Sequence, residues 1–321
     1  MFPRLLGDVG GTHARFGWQD RPGQAPTRLM TLHDDEHAGL AEAIAAYLSA
    51  QQLPRPKAAC IAIANPVTGD EVRMTNRAWH FSIAELGRQL GVERLKVIND
   101  FSALAWSLPT LARHERVQVG GLATEPSGAW PLAVIGPGTG LGVSGLLPQA
   151  GRWVALAGEG GHVSLAARTD LEWRLLSRLR QRHGHVSAER VLSGQGLSDL
   201  HWALSLETQE APLPLSAAQI TAAALQQQDP TCLACLALFS GFLGSVAGDL
   251  ALTLGARGGV YLGGGIVPRL LGWFEGSPFR ANFEDKGRFS SYLRDIPVWV
   301  IKAGDAPALR GAALALNMDG G

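Results

Sequence analysis

Two passages of this chain are built alike, and that repeat restricts the folds open to it more than any other feature. Residues 5–18, Leu5-Leu6-Gly7-Asp8-Val9-Gly10-Gly11-Thr12-His13-Ala14-Arg15-Phe16-Gly17-Trp18, read as strand, glycine turn, strand. Leu132-Ala133-Val134-Ile135, then Gly136-Pro137-Gly138-Thr139-Gly140-Leu141-Gly142, then residues 143–147 repeat the pattern. Two such units in one chain predict two related α/β lobes. A length of 321 residues agrees, because a single core seldom grows that large.

Between and after the repeats the periodicity alternates between strand and helix. A third strand falls at residues 29–32 after Pro22-Gly23, helical spacing covers 38–51, and 58–64 reads as a buried strand. Ser82-Ile83-Ala84-Glu85 is a capping box opening a helix, and 95–98 is another strand. Past the second repeat the chain is mostly helical, with a capping box at Thr169-Asp170-Leu171-Glu172 and helices near 169–182, 216–228 and 230–256. Val260-Tyr261-Leu262 runs into Gly263-Gly264-Gly265 and a further helix. A last strand at 297–301 precedes a helix at about 307–316 that is expected to pack back on the first lobe.

Charge excludes several classes of function. The 28 basic and 28 acidic residues cancel, leaving no net field to recruit nucleic acid or an anionic membrane, so a small-molecule partner is expected. The opening residues reach Asp8 after almost no apolar run, which does not suit a signal peptide, and a cytoplasmic location is expected. The uncharged stretch 230–248 approaches the length of a membrane span, but its Ala, Gly, Ser and Cys content and the Asp229-Pro230 start suit a buried helix. Cys232 and Cys235 in that helix read as two small core residues one turn apart, since no second pair completes a zinc site.

Glycines at strand ends expose successive backbone N–H groups that hold phosphate oxygens, and three clusters do so here: residues 7–12, 136–142 and 263–265. None is G-x-x-x-x-G-K-[ST], and the G-x-G-x-x-G spelled by Gly140-Leu141-Gly142-Val143-Ser144-Gly145 runs into the 143–147 strand instead of opening a helix, so phosphate is held in another way than by those two motifs. Asn99-Asp100 at a strand end is either a ligand-binding pair at a crevice or the cap of a following helix. Glu159 and His162 flank Gly160-Gly161, as a sugar or metal pair or as a structural turn. Glu189 after Ser187 reads as an acid at a helix start. His13, His183 and His185 lack metal-ligand spacing and read as surface or packing residues.

Taken together, the Gly7-Asp8-Val9-Gly10-Gly11-Thr12 hairpin, the Gly138-Thr139-Gly140-Leu141-Gly142 turn and the Gly263-Gly264-Gly265 turn resemble the two phosphate loops and the adenosine loop of the actin-like ATPase superfamily. Within it the chain resembles the bacterial glucokinase family. The resemblance rests on Met74-Thr75-Asn76, Ile98-Asn99-Asp100-Phe101, Gly158-Glu159-Gly160-Gly161-His162, the 185–194 segment His185-Val186-Ser187-Ala188-Glu189-Arg190-Val191-Leu192-Ser193-Gly194, and Phe283-Glu284-Asp285-Lys286-Gly287-Arg288-Phe289. It implies a two-lobed α/β, ribonuclease H-like fold with a central cleft: a small domain of residues 1–109 plus 302–321 and a large domain of 110–301.

The resemblance also implies an activity: ATP-dependent phosphorylation of D-glucose, with Asp100 as general base and Asn99, Glu159, His162 and Glu189 on the sugar hydroxyls. A neutral polyol needs several such acceptors and donors. ATP would lie on Gly7, Asp8, Val9, Gly10, Gly11, Thr12, Gly138, Thr139, Gly140, Gly263, Gly264 and Gly265, and Asp8 would hold Mg²⁺ through water. The family further suggests a homodimer. Other hexoses or amino sugars are the nearest alternative substrates. A non-catalytic sugar-sensing regulator would need a DNA-binding domain, for which no room is visible before Leu5, and a filament-forming ATPase would not need the Glu159, His162, Glu189 set. The cysteine cluster of the zinc-containing repressor, open-reading-frame and kinase (ROK) family is not seen in the sequence, and His13 and Asn65 depart from the usual Asn and small residue of the glucokinase pattern.

Overall fold

The run Leu5, Leu6, Val9 and the run from Ala58 to Ile63 are buried on both strand faces, and this places them at the centre of a parallel arrangement covered by helices. The computed structural model describes residues 1–74, 79–122, 130–208, 213–302, 304 and 307–317. The chain divides into two units, Met1–Leu111 with Leu146–Gly158 and Gly304–Gly321, and Ala112–Gly145 with Glu159–Ala303.

In the first unit, β1 (Arg4–Val9), β2 (His13–Gln19) and β3 (Thr27–His33) form an antiparallel meander. β4 (Ala58–Ile63) joins β1 in parallel; β5 (Glu71–Arg73) and β6 (His80–Ser82) pair in a separate ribbon. β7 (Arg94–Asn99) extends the main sheet to the order β3-β2-β1-β4-β7. Helices α1 (Leu40–Ala50), α2 (Ile83–Leu90) and α3 (Asp100–Ser107) belong to this unit. The Ser82 cap operates as read, its hydroxyl accepting from the Glu85 N–H, but Asp70 rather than Glu85 completes the start of α2, taking the Ala84 N–H at 2.8 Å. The helix Pro307–Ala315 packs on α3 and β1, with Leu309, Ala312 and Ala315 buried against Leu6 and Cys60. Gly311 faces Ala103 so closely that a Cβ there would collide with the Ala103 carbonyl.

The second unit is organised on a six-stranded sheet of order β11-β10-β9-β12-β13-β8, to which it contributes β8 (Arg116–Gln118), β9 (Leu132–Pro137), the start of β10 (Leu141–Gln149), β12 (Gly259–Leu262) and β13 (Val298–Ile301). The order of its first five strands repeats that of the first sheet, with β11 (Arg152–Leu156) at the edge. Helices α4 (Asp170–His183), α5 (Gly194–Ser205), α6 (Ala217–Leu225) and α7 (Pro230–Leu254) carry most of its core. The helix α7 is long and apolar enough to cross a membrane, but 72% of its apolar window is buried inside the protein, Phe239, Phe242 and Leu243 among the residues so covered. Asp229 caps it, accepting from the Thr231 and Cys232 N–H groups. Cys232 and Cys235 point into the core, and burial pushes the Cys232 thiol up to about 11 and Cys235 further in the same direction, so neither is a reactive thiolate.

One expectation is corrected. Glu189 does not begin a helix: residues 187–193 form turns, and α5 starts at Gly194 with Ser193 as its cap, its hydroxyl accepting from the Gly196 N–H at 3.0 Å. The Ala188 and Glu189 N–H groups donate to the Val163 and Gly161 carbonyls, and the Arg190, Val191 and Leu192 N–H groups close turns on Ser187 and Ala188 that stop before Ser193.

Candidate active site

In the first unit the parallel register sets Val9 beside Ile63 and Ile63 beside Asn99. The glycine turn after β1 and the Asn99-Asp100 pair after β7 therefore leave the sheet at the same edge, two strand spacings, or roughly 10 Å, apart. Carboxyl ends of parallel strands are where open α/β sheets bind ligands. The turn itself is closed by the Gly10 N–H on the His13 carbonyl at 3.0 Å. Asp8 is the penultimate residue of β1, paired in register with Arg15 of β2. Burial pushes its carboxyl above the usual range, against a smaller opposing pull from Arg15. A carboxyl strained in this way gains from a neighbouring cation.

Both sequence readings of Asn99 are compatible with its geometry. It is the cap of α3, its Oδ1 accepting from the Phe101 N–H at 2.9 Å and the Ser102 N–H at 3.1 Å. That use consumes the oxygen and leaves the amide NH₂ as the donor end of the side chain. Asp100 opens the helix, half-buried, with its Oδ1 accepting from the Phe101 N–H at 2.8 Å. Thr75 and Asn76, quoted in the family pattern, lie outside the described residues. His13 rests against His33 with ring centroids 4.4 Å apart, and Asn65 is buried with its Nδ2 donating to the Pro66 carbonyl at 3.3 Å.

The second unit brings its two glycine clusters together. They follow β9 and β12, adjacent parallel strands, and the Gly263 N–H donates to the Ile135 carbonyl while the Ile266 N–H donates to Pro137. Gly264 has φ +74° and its missing Cβ would meet the Pro137 carbonyl, so only glycine fits there. The turn at 138–141 is held by the Gly138 N–H on the Gly140 carbonyl and by the Gly194 N–H on the Gly138 carbonyl. Thr139, Gly140, Gly264 and Gly265 N–H groups make no hydrogen bond among the described residues, so they are left to donate outward. These residues fit a nucleotide's phosphates.

Glu189 is half-buried and ties two parts of this unit. Its Oε2 accepts from the Leu141 N–H at 2.8 Å, and a Cβ on Gly140 would strike the same oxygen. Its own N–H donates to the Gly161 carbonyl, which joins it to the short turn holding Glu159 and His162. Glu159 and His162 are both exposed, with the His162 N–H on the Glu159 carbonyl at 3.0 Å. The three residues thus share one backbone-bonded region. Of the other singled-out histidines, His183 bonds Asp199 at 2.8 Å and the exposed His185 bonds Ser164 at 2.9 Å. The sequence reading started this helix at Glu189 and so missed the role of its true first residue, Gly194, whose N–H braces the 138–141 turn. Ser193, three residues before Gly196 and ahead of Leu197 and Leu200, carries the signal that could have found it.

Two sheets of like strand order, each with a glycine turn at its first hairpin, define the actin-like ATPase fold as sugar kinases use it. A crystal structure of a ROK family glucokinase from Streptomyces griseus, in complex with glucose and AMPPNP, shares that fold at 20% identity and TM-score 0.61, covering 97% of this chain and 98% of that one. A glucokinase from an Antarctic psychrotroph is similar at 39% identity and TM-score 0.87, over 99% of both chains. A glucokinase of Aromatoleum aromaticum is 56% identical over 98% of this chain and 95% of its own. The glucokinase family model matches residues 5–319, and the chain belongs to the glucokinase family.

Proposed function

We propose that this chain transfers the γ-phosphoryl group of ATP to the 6-hydroxyl of D-glucose. The observation that carries this reading is the family match over residues 5–319, within which every proposed site residue is present. In the first unit Asp100 accepts the proton of the 6-hydroxyl as its oxygen forms the new bond to phosphorus and the bond to the β-phosphate oxygen breaks. Asn99, fixed by its capping oxygen, donates its NH₂ to the sugar. Glu159, His162 and Glu189 supply further hydroxyl contacts, and discrimination follows because a sugar lacking one of those hydroxyls leaves its partner unpaired in the complex.

The N–H groups of Thr139, Gly140, Gly264 and Gly265 and the turn Gly10-Gly11-Thr12 receive the nucleotide, with Gly7, Asp8, Val9, Gly138 and Gly263 shaping those loops. Asp8 would hold hydrated Mg²⁺, which supplies neutralisation of phosphate charge. Domains of 1–109 plus 302–321 and 110–301, a homodimeric assembly and a cytoplasmic location complete the proposal, supported by family membership.

A coupled ADP-release assay over a panel of hexoses and amino sugars tests it. Glucose is expected to give the highest kcat/KM. Turnover of an amino sugar with none of glucose would overturn the substrate assignment.

A further inference from the structure

One face of α4 is unlike the rest of that helix. Arg174 and Arg178 pair with Glu207, and Arg182 pairs with Asp199. Arg180 has no side-chain partner among the described residues. It lies at the end of a stripe Trp173, Leu176, Ser177, Arg180, spaced i, i+3, i+4, i+7, so all four share one helix face along about 10 Å. That face floors a groove of about 470 Å³, within the size range of small-molecule sites, and the opposite wall carries Ser164 and His185. The lining holds an arginine and a histidine and no acid, with Trp173 65% exposed at the other end. A cationic end and an aromatic end, bridged by hydroxyls, match a ligand with one anionic group and a flat body.

The groove wall runs directly into the proposed sugar contacts. The Leu165 N–H donates to the Val186 carbonyl, Ala188 to Val163 and Glu189 to Gly161, a ladder leading from the groove to Glu189 and the turn of His162. We propose that this groove is a second small-molecule site, taking a phosphomonoester with a flat apolar body. Its phosphate sits on Arg180 and His185 and its ring on Trp173. Occupancy there holds the ladder and so alters affinity at Glu189 and His162.

Calorimetry with phenyl phosphate on the full chain, with glucose and AMPPNP present, tests the site independently of turnover. Saturable binding is expected with one site per chain. Arg180→Gln should weaken it about tenfold or more, the worth of a charge-assisted bond, and Trp173→Leu severalfold, with thermal midpoints unchanged. In steady-state assays phenyl phosphate should shift KM for glucose with kcat unaltered, and Arg180→Gln should abolish the shift. Three results would each overturn the proposal: no saturation by about 10 mM, equal binding by Arg180→Gln, or loss of binding as ATP is raised. So would sedimentation showing a dimer that Trp173→Glu converts to monomer, because a second copy would then cover the groove.

Discussion

The two sheets share a strand order, β3-β2-β1-β4-β7 against β11-β10-β9-β12-β13, yet their glycine turns are finished differently. In the first unit the turn after β1 is closed on itself, Gly10 to His13, and carries an acid, Asp8, whose carboxyl burial has made costly to ionise. In the second the turn after β9 contains no acid of its own and, besides its own Gly138 to Gly140 bond, is held from outside by Glu189 and Gly194. The repeat supplies a scaffold twice. What differs is where the negative charge sits: in the strand of one unit, and on a brace reaching the loop of the other.

Asp100→Asn makes the sharpest test of the first unit's chemistry. Turnover should fall about 10²-fold or more, as for a lost general base, while glucose binding measured by calorimetry is retained, because an amide oxygen can still accept from Phe101. Wild-type turnover would remove Asp100 from the reaction. Next in size is Gly311→Ala, which forces a methyl against the Ala103 carbonyl and should cost about 1–3 kcal/mol. Because Gly311 and Ala103 lie in the first unit, stepwise urea unfolding followed by hydrogen exchange should show that unit's amides losing protection and those of α7 keeping theirs.

Gly140→Ala probes the brace. The new methyl displaces the Glu189 carboxylate and breaks its bond to Leu141, worth about 1 kcal/mol net, or roughly fivefold in affinity. If Glu189 serves both nucleotide loop and sugar, KM should rise for ATP and for glucose together. A rise for ATP alone would confine Glu189 to the loop. The smallest effect is expected from Asp8→Asn. The folded Asp8 pKa lies above the unfolded one, so its contribution favours folding below the unfolded value and is lost as pH rises through the folded value. At pH 7 without ligand the Asn variant should therefore melt higher, while its melting should respond less than wild type to added Mg²⁺ and ATP.

Much of this was legible in the chain itself. The strand–glycine–strand repeat, the buried runs of β4 and α7 and the caps at Ser82, Thr169 and Asp229 follow local rules that tertiary context did not overturn. Asn99 was legible only as a choice between cap and ligand, and the structure shows that its oxygen and nitrogen need not compete. Glu189 was misplaced at a helix start because Ser187 precedes an acid there. The pairing of 161–165 with 186–189 that ties Glu189 to the Gly161 turn joins segments separated by α4, and no local pattern announces it. Which glycines face an outside group, and which a neighbouring carbonyl, likewise depends on partners distant in sequence.

The packing of Pro307–Ala315 on α3 and β1 has a consequence for the nascent chain. The first sheet emerges from the ribosome early, but the helix that covers Leu6 and Cys60 follows on the order of 200 residues later, after the entire second unit. At roughly 5–20 residues per second, that apolar face waits on the order of 10–40 s for its cover. The second unit's own core closes only when β13 (Val298–Ile301) is made, a few residues before that helix, so both units are completed together at the end of synthesis.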